Sequence, residues 1–190
     1  MLKKLKLLFI LLLALGLLSC NNQKNIKHSA PPEYLLDPNA CSIIKNSSIS
    51  FDDKKAQNLW FGINKAVVDY SAKELLNNGY AIRKLFFDPA KAVNALNVVT
   101  AAMENYKCRR LIQIKHVHNA PHDFGYDVDI LVPDIRDFTP GSTSSYKLLS
   151  IYDKKYRFPF TKESFDNLIV SDLGKKIATD ILISKALTIR

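Results

Sequence analysis

Apolar and polar residues alternate along two stretches in the second half of the chain, at 111–118 and at 126–132. Strict alternation is typical of a half-buried β-strand, because successive side chains of a strand point to opposite faces of the sheet. The polar positions of the second stretch include Asp127 and Asp129. We therefore predict two neighbouring strands, the second of which carries both carboxylates on one face.

Helical spacing dominates the first half of the chain. From Asp52 to Asn77, apolar residues recur every three or four positions, as they do on the buried side of an amphipathic helix. Ser50, Asp52 or Asp53 is the candidate N-cap of this helix, and Asn78-Gly79 is a typical end. Trp60, within the helix, has the chemistry to bind a sugar or a peptide, although an aromatic residue in a helix more often belongs to the core.

The remaining elements are shorter. Residues 80–87 are predicted to form a strand, and Pro89 fits the first position of a second helix that is capped by Asp88 and runs to about Tyr106. Residues 138–156 have the composition of a loop, and a helical pattern follows from Thr161 to Ile169.

The chain closes with a predicted strand at 181–183 and a helical stub at 184–190. These elements together predict an α+β domain with a small antiparallel sheet flanked by helices. The apolar residues of the stub have nothing to pack against, so we expect the domain to be cut short at its C-terminus.

The net charge of the chain limits the classes of partner that it is expected to bind. The formal net charge is +9, and it is +6 without Lys3, Lys4 and Lys6 of the N-terminal segment. A basic domain favours an anionic partner such as a cell-wall polymer or a membrane surface. The lysines are scattered and no recognition motif is present, so we do not expect a nucleic-acid partner.

Residues 1–19 have the pattern of a secretory signal peptide: lysines followed by an apolar run from Leu7 to Leu18. The run is shorter than the roughly 20 residues that a membrane span needs. Leu17-Leu18-Ser19-Cys20 resembles the bacterial lipoprotein processing box, which implies cleavage before Cys20 and its acylation. The alternative is an ordinary signal peptide with a chance cysteine. The resemblance implies a protein on the periplasmic face of the inner or outer membrane.

Residues 20–50 are predicted to be the lipid anchor and a polar linker, since the segment from Asn21 to Glu33 cannot bury apolar surface. The domain is assigned to 51–190, with its start between Tyr34 and Phe51. Cys41 and Cys108 remain for pairing, and in an oxidising compartment a disulfide between them is favoured over two buried thiols.

The stretch at 121–130 carries the candidate chemistry. His122 precedes Gly125, which permits a sharp turn, and Asp127 and Asp129 follow. An imidazole folded back over the strand could approach Asp129, and both are ligand types of catalytic zinc. Asp127 would then orient a ligand or the metal-bound water. The alternative is a surface strand with solvated carboxylates.

His122-x-x-Gly125-x-x-x-Asp129 resembles the first metal motif of the penicillin-insensitive murein endopeptidases and, more loosely, the related D-alanyl-D-alanine peptidases. The resemblance implies that His122 and Asp129 bind Zn²⁺, and Asp127 favours the endopeptidase branch. Residues 180–190 resemble the later core strand of that family and the start of its next helix. The likeness covers about 107–190.

This chain departs from the family pattern at one point. Members of the family carry a His-x-His motif beyond the later strand, whereas this chain has no histidine after His122. His116 and His118 form another His-x-His pair, and either could replace the missing ligand. Because family members carry a histidine shortly before the first ligand, the resemblance places His118 at the active site, outside the zinc ligands.

Two functions follow from this pattern. The first is a lipid-anchored zinc endopeptidase that acts on peptide cross-links of peptidoglycan, in which zinc activates a water. Truncation could leave this enzyme inactive. The alternative is a non-catalytic envelope lipoprotein, either a decayed relative or a cell-wall-binding module with a basic surface.

Overall fold

The computed structural model describes residues 31–47, 49–88, 95–135 and 147–188. The predicted signal peptide and the predicted lipidation site at Cys20 lie outside these residues, as does the predicted first turn of the second helix from Pro89. None of the helices within them is long and apolar enough to cross a membrane. The elements, in chain order, are α1 (Glu33–Leu36), β1 (Cys41–Ser47), α2 (Lys54–Asn77), β2 (Ile82–Leu85), α3 (Ala95–Tyr106), β3 (Cys108–Asn119), β4 (Asp123–Pro133), β5 (Leu148–Pro159), α4 (Lys162–Asp166) and α5 (Val170–Ser184).

The five strands form one sheet in the order β2-β1-β3-β4-β5. β1 runs parallel to both β2 and β3, whereas β3, β4 and β5 are antiparallel neighbours. The predicted α+β class with flanking helices is confirmed. The prediction of an antiparallel sheet was wrong: the sheet is mixed, because α2 and α3 provide the crossover connections that parallel strands require.

The long helix α2 begins where its sequence predicted. The carboxylate of Asp53 accepts hydrogen bonds from the backbone N–H groups of Lys55 and Ala56, which have no partner within the helix. Gly79, at φ +84°, follows its C-terminal end. Of the three candidate caps, Asp53 is the one that the structure uses.

The main core lies between one face of the sheet and the pair α2 and α5. The two helices approach so closely at Gly174 that a Cβ built there would lie 2.5 Å from the Cβ of Tyr70. The hydroxyl of Ser71 donates to the carbonyl of Gly174 at 3.0 Å. Ile177 and Ile181 of α5 are fully buried in this core.

A smaller core lies on the opposite face, where α3 covers Ile43 and Leu111 at one end of the sheet. Cys41 and Cys108 are paired across β1 and β3 and form the predicted disulfide. In the chain-entropy model, closing a loop of this length stabilises the fold by roughly 4 kcal/mol.

Three element predictions were wrong. Residues 181–183 belong to α5, not to a strand, because Leu173, Ile177 and Ile181 form one helical stripe against α2. The helix ends at Ser184, and Ala186 and Leu187 are buried in the main core, so the expectation that the apolar residues of the stub have nothing to pack against was also wrong. Residues 148–156 belong to β5, not to a loop. The assigned domain start at 51 is too late, since β1 at 41–47 is part of the sheet.

Candidate functional site

The residues that the sequence singled out are divided between the two faces of the sheet. In β4, and in β3 from Leu111 onward, the even-numbered side chains point toward α2 and α5, and the odd-numbered ones point away from them. We call the side of the sheet that packs against α2 and α5 the covered face. On the opposite side, we call the part that α3 does not cover the open face. His116 and His118 lie on the covered face, and Asp127 and Asp129 on the open face.

The open face carries two cross-strand rows of polar side chains. One row joins Lys115, Asp127 and Lys155, and the next joins Gln113, Asp129 and Asp153. Neighbouring strands are about 4.8 Å apart, so side chains within a row are adjacent. Lys115, Lys155 and Asp153 are exposed, and both β4 carboxylates are half-buried. The face therefore presents charges of both signs to solvent.

Asp127 is held by Arg157 from β5. A guanidinium nitrogen of Arg157 lies 2.5 Å from a carboxylate oxygen of Asp127, and the same side chain donates to the carbonyls of Tyr126 and Tyr156. A partly exposed pair of this kind contributes up to about 1 kcal/mol. Its greater effect is to fix the position of the Asp127 carboxylate.

Asp129 has no such partner among the described residues. It faces Asp153 directly across the strands and lies two residues from Asp127. Burial, followed by the repulsion of these two carboxylates, raises the pKa of Asp129 above its usual value, against the weaker attraction of Lys115 and Lys155. Like charges directly opposite one another are unfavourable in a sheet. This row is therefore an acidic spot beside a basic one.

His116, on the covered face, behaves as an aromatic core residue. Its ring is completely buried and stacks on Trp60 with ring centroids 4.3 Å apart. Burial, with a smaller contribution from His118, lowers the pKa of His116 to about 4. Within the described part of the chain neither ring nitrogen has a hydrogen-bond partner. The imidazole is therefore neutral at pH 7.

His118 extends the same aromatic cluster toward the end of the sheet. Its ring meets Phe51 and Phe160 edge to face, with centroid separations of 5.2 and 4.9 Å. Trp60 also contacts Phe124 and Phe165. Of the two readings of Trp60, the core reading agrees with its burial to 6% exposure.

His122 lies apart from both groups, in the turn that joins β3 and β4. The side chain of His122 is exposed. Its backbone N–H donates to the backbone carbonyl of Asn119, and its backbone carbonyl accepts from the backbone N–H of Phe160. β4 is paired with β3 from Asp123 onward. The six residue-to-residue steps along the strand from Asp123 to Asp129 span about 20 Å.

This separation means that the two proposed ligands do not fit one zinc ion. Zinc bonds to nitrogen and oxygen are about 2 Å long, so side chains some 20 Å apart cannot share the metal. His118 cannot complete the site with Asp129 either, because their side chains leave opposite faces of the sheet. Across the described residues, no group of three potential ligands comes together.

The sequence analysis missed the basic half of the open face. Lys155 and Arg157 lie in β5, within a stretch that is predicted to be a loop over most of its length. The residues from Lys155 to Phe158 do alternate, with Tyr156 and Phe158 on the covered side. That alternation is the signal that could have placed Lys155 beside Asp127.

Comparison with known proteins adds little. No protein-family model matches the chain, and no curated protein matches it. A comparison with solved structures gives a weak match to the crystal structure of a putative neuraminyllactose-binding hemagglutinin homolog from Helicobacter pylori. It has a TM-score of 0.31 and 9% identity, and the match covers 77% of this chain and 85% of that chain. This likeness carries no functional argument, and the endopeptidase resemblance stays a sequence prediction.

Proposed function

We propose that this chain is a lipid-anchored envelope protein that binds peptidoglycan through the open face without cleaving it. The observation that carries the proposal is the pair of polar rows, in which Lys115, Asp127 and Lys155 lie beside Asp129 and Asp153. Stem peptides of peptidoglycan carry free carboxylates and free amino groups, and charges of both signs at strand spacing are complementary to such a ligand.

Two further features support this choice over the zinc endopeptidase. His122 lies in the turn before β4 and Asp129 lies well inside the paired strand, and this separation argues against a common metal site for the motif that suggested hydrolysis. The segment at 180–184 that resembled a family core strand is helical. Cys20 and the apolar run before it support a lipid anchor, which would hold the open face within reach of the cell wall.

The proposal is tested by co-sedimentation of the full chain, purified in detergent, with isolated peptidoglycan. Reversing both lysines of the basic row, Lys115→Glu with Lys155→Glu, should weaken binding by about tenfold. The matched control is Lys73→Glu with Lys175→Glu, which changes the net charge equally on exposed positions of α2 and α5. Equal losses in both double variants would mean that only net charge matters.

A chelator separates binding from hydrolysis. Retention on peptidoglycan should be unchanged by a metal chelator, and the wall peptides should stay intact on prolonged incubation. Release of cleaved cross-links that stops when zinc is removed would contradict the proposal and restore the endopeptidase. The anchor is tested separately, since Cys20→Ser should abolish incorporation of labelled fatty acid.

A further inference from the structure

A cavity of about 720 Å³ lies on the covered side of the molecule, away from the open face. Its walls come from the end of β5, from α4 and from the first two turns of α5. Cavities of about 300 to 1,000 Å³ accommodate small organic molecules. The cavity is therefore large enough for a ligand other than water.

The floor of the cavity is apolar and firmly supported. Phe158, Leu168 and Leu173 line it, and all three pack against the main core. Leu173 is only 6% exposed, whereas Ile169 at the mouth is 59% exposed. An apolar group that entered would cover surface that the protein leaves in contact with water, which is favourable at about 25 cal/mol per Å².

The mouth of the cavity carries more negative than positive charge. Glu163 and Asp172 line it, and within the described residues neither carboxylate is part of an ion pair. Lys176 is the cation among the lining residues, and its ammonium group lies 3.7 Å from the carboxylate of Asp180. A positively charged head group is therefore better matched to this mouth than a negatively charged one.

We propose that this cavity binds a small amphipathic amine, with its apolar part on Phe158 and Leu173 and its ammonium group at Glu163 and Asp172. The ligand is defined by that chemistry: a short hydrocarbon or aromatic body and one primary amino group. The site is independent of the open face, so its failure would leave the peptidoglycan proposal untouched.

Trp60 gives this site an optical reporter. It is the only tryptophan of the chain, and its ring lies 6.0 Å from that of Phe165 on α4, the helix that also carries Glu163 and Ser164. A ligand held between α4 and α5 should shift the position of Phe165 and alter the emission of Trp60. Calorimetry measures the affinity without this assumption.

The experiment titrates the full chain with hexylammonium and, as matched probes of equal length, with hexanoate and hexanol. Hexylammonium should bind saturably, and both other probes more weakly. Glu163→Gln and Asp172→Asn should each weaken hexylammonium about threefold and leave hexanol unchanged. Glu33→Gln, on an exposed position of α1, is the control and should change nothing.

Hexanoate binding as tightly as hexylammonium would overturn the proposal, as would amide variants that bind the amine like the wild type. Absence of saturable binding by any probe would also overturn it. Ile169→Ser removes an exposed apolar side chain from the mouth without touching the buried core. It should weaken all three probes alike, and an unchanged affinity for every probe would place binding outside this cavity.

Discussion

The two faces of the sheet place ionisable side chains in opposite environments, one in the core and one at the surface. On the covered face, His116 and His118 are packed among aromatic rings, and His116 is neutral and has no hydrogen-bond partner in the described part of the chain. On the open face, Asp127 and Asp129 lie beside lysines, and Asp127 is paired with Arg157. Ionisable side chains that lie within fourteen positions of one another thus serve either the core or the surface, according to the face on which they lie.

The comparison shows why residues that are close in the sequence of a strand need not be close in space. A histidine and an aspartate seven positions apart look close in the sequence, but an extended chain carries them about 20 Å apart. A histidine and an aspartate on adjacent strands are close only when the register brings them together on the same face. His118 lies opposite Phe124, on the other side of the sheet from Asp129.

The largest expected difference between the faces is in stability. Trp60→Ala should lower the free energy of unfolding by about 3 to 5 kcal/mol, because it removes the ring that packs on His116 and Phe124. Lys155→Ala on the open face should change it by less than about 0.5 kcal/mol. Urea titrations of both variants measure this difference, and similar shifts in their midpoints would break the comparison.

The next effect is a dependence on pH. The pKa of His116 falls from 6.5 to about 4 in the folded protein, so between these values the unfolded chain binds the additional proton. The free energy of unfolding should therefore decrease as the pH falls from about 6.5 to about 4, by about 3 kcal/mol in total.

The matched variants isolate this contribution. His116→Phe keeps a ring on Trp60 and should remove that part of the pH dependence, whereas His122→Phe in the exposed turn should retain it. Chemical denaturation at several pH values makes the comparison. The assignment fails if the wild type and His116→Phe lose stability in parallel over this range.

A smaller effect of opposite sign is expected on the open face. Because burial and the neighbouring carboxylates raise the pKa of Asp129 in the folded protein, its charged form is less favourable there than in the unfolded chain. Asp129→Asn should stabilise the protein at pH 7 by a few tenths of a kcal/mol. The gain should disappear below about pH 3.8, where the carboxyl group is protonated in both states.

Thermal unfolding of Asp129→Asn and of the wild type, at pH 7 and below about pH 3.8, measures this gain. Asp52→Asn, at an exposed position just before α2, serves as the control and should be neutral. A destabilised Asp129→Asn variant would show instead that the carboxylate is needed by a partner.

The smallest effect is expected at the turn. His122→Ala should change the free energy of unfolding by less than about 0.5 kcal/mol, since the side chain is exposed. Elemental analysis should give the same zinc content for this variant and the wild type. Stoichiometric zinc that is lost in His122→Ala would return the histidine to a metal site and break the comparison between the faces.

The parts of the fold that depend on local pattern could be predicted from the sequence. Alternation located β3 and β4, and the three-to-four-residue spacing located α2, with Asp53 as one of three candidate caps. The faces of Asp127 and Asp129 followed from the same alternation. Pairing of Cys41 with Cys108 followed from the two cysteines that remain besides Cys20 and from the predicted export of the domain.

The parts that depend on distant contacts could not be predicted in this way. The run at 181–183 has the composition of a strand, but packing of Ile177 and Ile181 against α2 makes it helical. β5 could not be recognised because its pairing with β4 shifts register between Ile130 and Leu131 of β4. This shift interrupts the alternation of side chains in the first half of β5. The position of β1 between β2 and β3 is set by the crossovers and not by its own residues.

The disulfide has a mechanical consequence. Cys41 is the first residue of β1, so a pull on the chain from its N-terminal side reaches the sheet at this residue. The covalent bond to Cys108 passes the load directly to β3, in the middle of the sheet, and β1 cannot be peeled from its neighbour by tension. A domain held to a surface by its N-terminal segment would keep its shape under such a load until the cystine is reduced.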